Sequence, residues 1–189
     1  VNAASLTGTV SPGSAIAILG TGLTNSLGET TVSLDGKAVG LSATASDRLA
    51  GVLPEDLAVG TVNAVVTAGP YTGREFAVEV VAAAPGLYPK VLNEDGAANS
   101  PENRSAGGRI VSCVLTGLGR ANELVPPTAW IADVVAEVVS ITAQAEVPGT
   151  FVVTIRLPND APAGDAVPLV IEIDGRRSNA VPVAVESVP

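Results

Sequence analysis

The side chains in this 189-residue chain best suited to chemistry are few, and most of them carry oxygen. Asn93-Glu94-Asp95-Gly96, followed by Asn99 and Glu102, gathers oxygen donors at the i, i+2 spacing of calcium loops. The full twelve-residue loop pattern with a closing bidentate Glu is not met. Asn93 and Asp95 therefore stand as the calcium candidates, against an Asx turn leading into the next strand. A second acidic pair, Glu55-Asp56, is adjacent in one loop. A glycosidase needs two carboxyls about 5–10 Å apart across a cleft. Asn159-Asp160 stands in the matching place of a second repeat, so a repeated structural turn explains the pair better. Cys113 is the single thiol, and the chain has no His. That excludes imidazole-activated nucleophiles and His-ligated metals, and leaves no catalytic residue and no cofactor to assign beyond the calcium candidates.

Nineteen acidic against ten basic residues give a net charge of −9. Such a chain repels phosphate backbones and anionic head groups, so nucleic acid is not an expected partner. No apolar run is long enough for a membrane helix, and no membrane insertion is expected. Val1-Asn2-Ala3-Ala4-Ser5 has neither the basic nor the apolar region of a signal peptide, and the missing initiator Met suggests a mature or excised segment. Gly20-Thr21-Gly22 and Gly107-Gly108 lack the Lys of a phosphate loop. Asn103-Arg104-Ser105 matches a glycosylation acceptor by pattern alone. Arg176-Arg177 reads as a solvated hairpin tip. The five aromatics are scattered: Phe76 and Phe151 fall within strands and are expected to fill the cores, Tyr71 falls in a turn, Tyr88 near the midpoint, and Trp130 fits a contact residue and a plug for the sandwich end equally well.

The elements that position these groups are strands. Short apolar runs rich in Val, separated by Gly, Pro, Asn and Asp, predict strands near 15–19, 31–34, 38–41, 49–53, 61–68 and 75–81. A second set is predicted near 110–115, 134–141, 151–157, 167–173 and 180–185. Asp35-Gly36 and Asp174-Gly175 have the residues of tight hairpin turns. The two sets are copies. Ile16–Leu23 aligns with Val111–Leu118 at an offset of 95 residues (Gly22 to Gly117), and Leu53-Pro54 aligns with Leu157-Pro158 at 104. The second copy therefore carries nine extra residues, expected mostly in the loop Asn122–Pro127. An all-β fold of two tandem immunoglobulin-like β-sandwiches follows, residues 1–86 and 87–189, joined by a restricted elbow at Ala84-Pro85-Gly86. Cys113 replaces Ile18 of the first copy, and both are expected to be buried.

Several segments, in order, resemble a C-terminal domain family of large secreted proteins of Acidobacteria such as Solibacter. They are Val1-Asn2-Ala3-Ala4-Ser5, Ser11-Pro12-Gly13-Ser14, Ile18–Leu23, Ala83–Tyr88, Leu92–Gly96 with Asn99-Ser100-Pro101, and Pro162–Leu169. Each copy is also similar to IPT/TIG domains, the immunoglobulin-like modules of cell-surface proteins. The segments Ser112-Cys113-Val114 and Trp130–Asp133 depart from the pattern, the latter lacking a Gly-rich turn. The resemblance implies paired sandwiches in an extracellular or cell-surface protein, and supplies no catalytic residue and no ligand. The expected function is a non-catalytic structural or interaction module: a spacer, anchor or repeating subunit of a surface or filamentous assembly, through protein partners or self-association. A carbohydrate-binding or adhesion module with a surface glycan partner is the alternative. The segments expected to make such contacts are Val1–Leu6, Leu87–Asn99 and Asn122–Pro127.

Overall fold

Val-rich alternation with turn residues at short intervals leaves each segment half-buried, which a pleated strand accommodates and a helix does not. The computed structural model describes residues 1–119 and 126–187, and every regular element in them is a strand. The first half holds β1 (Thr9–Val10), β2 (Ala15–Leu19), β3 (Thr30–Leu34), β4 (Lys37–Ala38), β5 (Gly40–Thr44), β6 (Arg48–Val52), β7 (Gly60–Ala68), β8 (Tyr71–Thr72) and β9 (Phe76–Val80). One layer is β2-β6-β5; the other is β1-β9-β7-β3-β4, with β8 on β7. The second half holds β10 (Gly86–Asn93), β11 (Ile110–Thr116), β12 (Thr128–Ile131), β13 (Val134–Ala143), β14 (Thr150–Arg156), β15 (Gly164–Ile173), β16 (Arg176–Arg177) and β17 (Val181–Val185). Here β10-β11-β14 and the far half of β13 form one layer, while the near half of β13 with β12, β15, β16 and β17 forms the other.

These are two tandem immunoglobulin-like sandwiches, and each has its own core. Ile16, Val32, Leu34, Leu49, Leu53, Val62 and Val80 meet in the first. Leu87, Val111, Leu115, Ile131, Ile155, Leu169 and Ile171 meet in the second. The break between the two clusters falls between Val80 and Ala83.

The repeat is visible bond by bond. Ser14 N–H donates to Ser11 O at 3.2 Å, and Arg109 N–H donates to Ala106 O at 3.2 Å, 95 residues on. Val81 N–H donates to Val10 O at 2.9 Å, and Glu186 N–H donates to Ser105 O at 3.0 Å. Both Asp-Gly pairs take positive φ at both residues, 46° and 79° in Asp35-Gly36 and 50° and 69° in Asp174-Gly175, as a type I′ hairpin requires. The segment without a Gly-rich turn, Ile131–Val134, closes its hairpin with Ala132 at φ 52°.

Three sequence expectations need correction. The strand expected over 38–41 is two strands in different layers, because the chain crosses the sandwich at Val39–Gly40 and β4 pairs with β3 while β5 pairs with β6. The segment 87–99, expected as a connector left over from the two cores and available for contacts, begins with β10, whose Leu87 is fully buried and whose Val91 is nearly so. A Pro and a Lys inside this strand hid its alternation. The nine extra residues lie mostly elsewhere: the turn at Asp35 matches the turn at Ala132 with an offset of 97, so two of them precede that turn and seven follow it. Those seven fall between Val134 and Leu157 and lengthen the β13–β14 hairpin, where β13 covers 10 residues against the 8 from Lys37 to Thr44 and β14 has 7 against 5 for β6. Residues Asn122–Val125 of the expected contact loop lie outside the described residues.

Candidate functional site

Asn93 ends β10 and opens a tight loop. Its N–H donates to Ala97 O at 2.8 Å, Gly96 N–H returns to Asn93 O at 2.9 Å, and Asp95 Oδ1 accepts Ala97 N–H at 3.0 Å. The Asn93 amide donates to Asn103 O and its Oδ1 accepts Nδ2 of Asn99, both at 2.9 Å. Asn99 in turn exchanges bonds with the Ala184 backbone at 3.0 and 2.6 Å, pinning the loop to β17. Glu94 faces Arg109 at 3.6 Å, and the Ser100 hydroxyl with its own backbone holds the Glu102 carboxyl below its ordinary range. An open cavity of about 310 Å³ beside the loop has a wall of mixed charge, with Glu94, Asp95 and Glu186 facing Arg104 and Arg109. Among the described residues no three His, Cys, Asp or Glu side chains converge as metal ligands.

The other expected groups are dispersed. Cys113 faces the second core, 3% exposed, and burial pushes its thiol up to about 12, so it is no nucleophile at neutral pH. Asp56 is held by Lys37 at 2.5 Å, in the turn where Leu57 N–H donates to Pro54 O at 3.3 Å. Ala161 N–H donates to Pro158 O at 3.2 Å in the same turn of the second copy. Trp130 lies on the outward face of β12, between the inward Ala129 and Ile131, and the Arg177 guanidinium covers its ring at 5.1 Å. Arg177 is also held by Glu172 at 2.8 Å. The basic tip is thus an ion-paired lid on the indole, and Trp130 does not plug the sandwich end. Tyr71 is 64% exposed, and Phe76, expected in the core, is 43% exposed at the start of β9; Tyr88 is half-buried, with its phenol raised by that burial.

What the chain does bring together is the elbow between the sandwiches. Thr116, fully buried at the end of β11, accepts the Ala15 N–H at 2.9 Å and donates to Gly149 O at 2.6 Å. Gly149 sits at the tip of the lengthened β13–β14 hairpin with φ 76°, and a Cβ there would lie 2.8 Å from Ala15 N and 2.9 Å from Gly13 O. The inserted residues therefore lengthen the hairpin that bears on the first sandwich. On the linker side, Ala84 N–H donates to Gly117 O at 2.9 Å, and the buried Asn2 amide donates to Ala84 O at 2.8 Å. Gly117 and Gly119 have φ 81° and 59°, and a Cβ on either would strike a backbone carbonyl, of Ala84 and Ala82 respectively. Only glycine allows so close an approach in that conformation. Sequence reasoning placed an elbow here and missed these residues. Gly117 shares its positive φ with its repeat mate Gly22, but nothing meets a Cβ at Gly22, and only that difference marks the interface.

No family model matches the chain, and no curated protein matches it. Similar solved structures include SGBP-B of the Bacteroides ovatus mixed-linkage glucan utilization locus, in complex with a mixed-linkage heptasaccharide. It is 17% identical with a TM-score of 0.44, covering 95% of this chain and 43% of that one. An SGBP-B from a complex xyloglucan utilization locus in Bacteroides uniformis is 16% identical with a TM-score of 0.37, over 93% and 46%. Domains 5–6 of the S-layer protein SbsC are 16% identical with a TM-score of 0.32, over 95% and 93%. The chain spans less than half the length of the two glucan- and xyloglucan-locus proteins.

Proposed function

We propose that this chain is a non-catalytic extracellular module that works by attachment or assembly, as a spacer, anchor or repeating subunit of a surface or filamentous structure. The observation that carries this reading is the elbow. Buried hydrogen bonds from Asn2 and Thr116, and three glycines packed against opposing backbone, tie the two sandwiches together at the elbow and support a single angle between them. A spacer or subunit transmits position, and a fixed angle is what that task requires; a floppy tether would not give it. The lack of His and the inert thiol leave few ways to activate a nucleophile. Electron microscopy of the purified chain tests the proposal. Particles or filaments with a single angle between the lobes are expected. A continuum of angles, or hydrolysis of a glycan by the chain, overturns it.

One observation favours the alternative, a carbohydrate-binding or adhesion module. The exposed Tyr71 ring joins Thr21, Thr24, Asn25 and Thr72 around an open cavity of about 390 Å³. An apolar ring flanked by hydroxyls and an amide suits a sugar. Retarded migration through polysaccharide gels, abolished by Tyr71→Ala, is the result that this reading requires; unretarded migration through every polymer tried rejects it.

A further inference from the structure

An open cleft of about 240 Å³ lies on the flank of the elbow, with one wall from each sandwich. Ser5, Thr7 and Thr9 form the first wall, Arg176 and Arg177 the second, and Pro85 of the linker completes the lining. The cleft stands beyond Asn2 on the side of Ser5 to Thr9, whereas Val1 runs the other way along β2 and bonds Ala17, so any chain ahead of Val1 leads away from it.

Both walls are held in place before any ligand arrives. The first is a loop closed on Asn2, whose N–H donates to Thr7 O at 2.9 Å, whose O accepts the Leu6 N–H at 3.0 Å, and whose Oδ1 accepts the N–H groups of Ala4 and Ser5 at 2.9 and 3.0 Å. The second is tied to the linker by Asn179, which exchanges bonds of 2.8 and 2.9 Å with the Leu87 backbone. Groups fixed in this way lose little freedom on binding. Part of their polar capacity is unused. Ser5 and Thr7 share one hydroxyl bond of 2.8 Å, and the Thr9 hydroxyl has no partner among the described residues. Arg177 is engaged by Glu172 and Trp130, but the neighbouring Arg176 guanidinium holds no acceptor among the described residues.

The charge of this cleft is unlike that of its neighbours. The cavity beside Asn93 mixes carboxylates with arginines, and the one beside Tyr71 has no charged residue. The elbow cleft has two arginines and no acid, in a chain with 19 acidic and 10 basic residues. A guanidinium across from hydroxyls suits a carboxylate carried on a hydroxylated ring. A net charge of −9 works against a polyanion, so the carboxylates of the ligand must be sparse. We propose that the cleft binds a single acidic sugar, a uronate-type residue set in an otherwise neutral glycan, with its carboxylate on Arg176 and its hydroxyls on Ser5, Thr7 and Thr9. The sugar is then the partner of the surface attachment module proposed above, and its assignment rests on that reading. Because the walls belong to different sandwiches, the cleft keeps its width only while the elbow keeps its angle, and a bound sugar favours that angle in turn.

The test is titration of the 189-residue chain with methyl glucuronoside, methyl glucoside and acetate, followed by NMR. Saturable shifts at Thr9 and Arg176 are expected with the glucuronoside in the millimolar range, binding at least about tenfold weaker with acetate, and none with the glucoside. Arg176→Gln should weaken glucuronoside binding at least about tenfold and Thr9→Val about threefold, while Lys90→Gln, which removes a cation outside the cleft, leaves it unchanged. Absence of saturable glucuronoside binding, acetate or the glucoside binding as well as the glucuronoside, or equal losses in Arg176→Gln and Lys90→Gln overturns the proposal. A failed titration beside a single angle between the lobes rejects the sugar alone; a continuum of angles rejects the spacer reading on which it rests.

Discussion

Thr116→Val keeps the shape of a fully buried side chain and removes the hydroxyl that joins the two sandwiches. The Ala15 N–H, in a residue 8% exposed, then faces a methyl group, and a buried donor without an acceptor costs about 1–3 kcal/mol. Gly149 O loses its donor as well, and its other lone pair softens that loss to about 1 kcal/mol. The expected destabilisation is about 2–4 kcal/mol, read as a lowered urea midpoint at unchanged slope. Because Ala15 belongs to the first sandwich and Gly149 to the second, exchange of the Ala15 amide should quicken in the same variant. Thr116→Ser keeps the hydroxyl and loses one methyl, so it should cost only about 1 kcal/mol. A Thr116→Val protein within about 0.5 kcal/mol of the parent, or a Thr116→Ser protein as weak as Thr116→Val, would refute the bridging role.

Cys113→Val should leave stability at pH 7 nearly unchanged. Because the folded thiol is raised to about 12 from its ordinary 9.0, its contribution is complete below pH 9 and is lost as pH rises from 9 toward 12, by up to about 1.4 kcal/mol per pH unit, a decline that titration of unfolding should find removed in the valine variant. Cys113→Asp should unfold the second sandwich, while Ile18→Asp should cost less, since Ile18 is only half-buried; equal losses in chemical denaturation would contradict that difference in burial. Calcium at millimolar level should shift the melting temperature by no more than about 1 °C, because Asn93 and Asp95 already spend side-chain oxygens within the loop; a rise of several degrees abolished by Asp95→Asn would show the opposite.

The tandem sandwich was legible because its signals are local and occur twice. The Val alternation and the Leu-Pro landmarks align between the copies, and an Asp-Gly turn closes one hairpin in each, β3–β4 in the first and β15–β16 in the second. What sequence reasoning missed has non-local causes. β10 carries Pro89 and Lys90 in a bulged stretch, so its alternation breaks where its register shifts, and only pairing with β11 makes it a strand. The crossing at Val39–Gly40 depends on which layer each neighbouring strand joins, and a run of residues does not encode that choice. The elbow glycines look like ordinary turn glycines until an opposing carbonyl is placed against them. Asn93 and Asp95 were visible as oxygen donors, but the partners that take up those oxygens, Asn99 and the Ala97 amide, emerge only once the loop closes.

The fixed angle between the sandwiches is the central claim, and a spin-label distance measurement addresses it most directly. Labels on cysteines replacing the exposed Tyr71 and Val139, in a Cys113→Val background, place one probe on each sandwich. A single narrow distance distribution is predicted, broadened by Gly149→Ala, which forces a Cβ against Ala15 and Gly13. A distribution in the parent as broad as that of a flexible tether, unchanged by Gly149→Ala, would contradict the account.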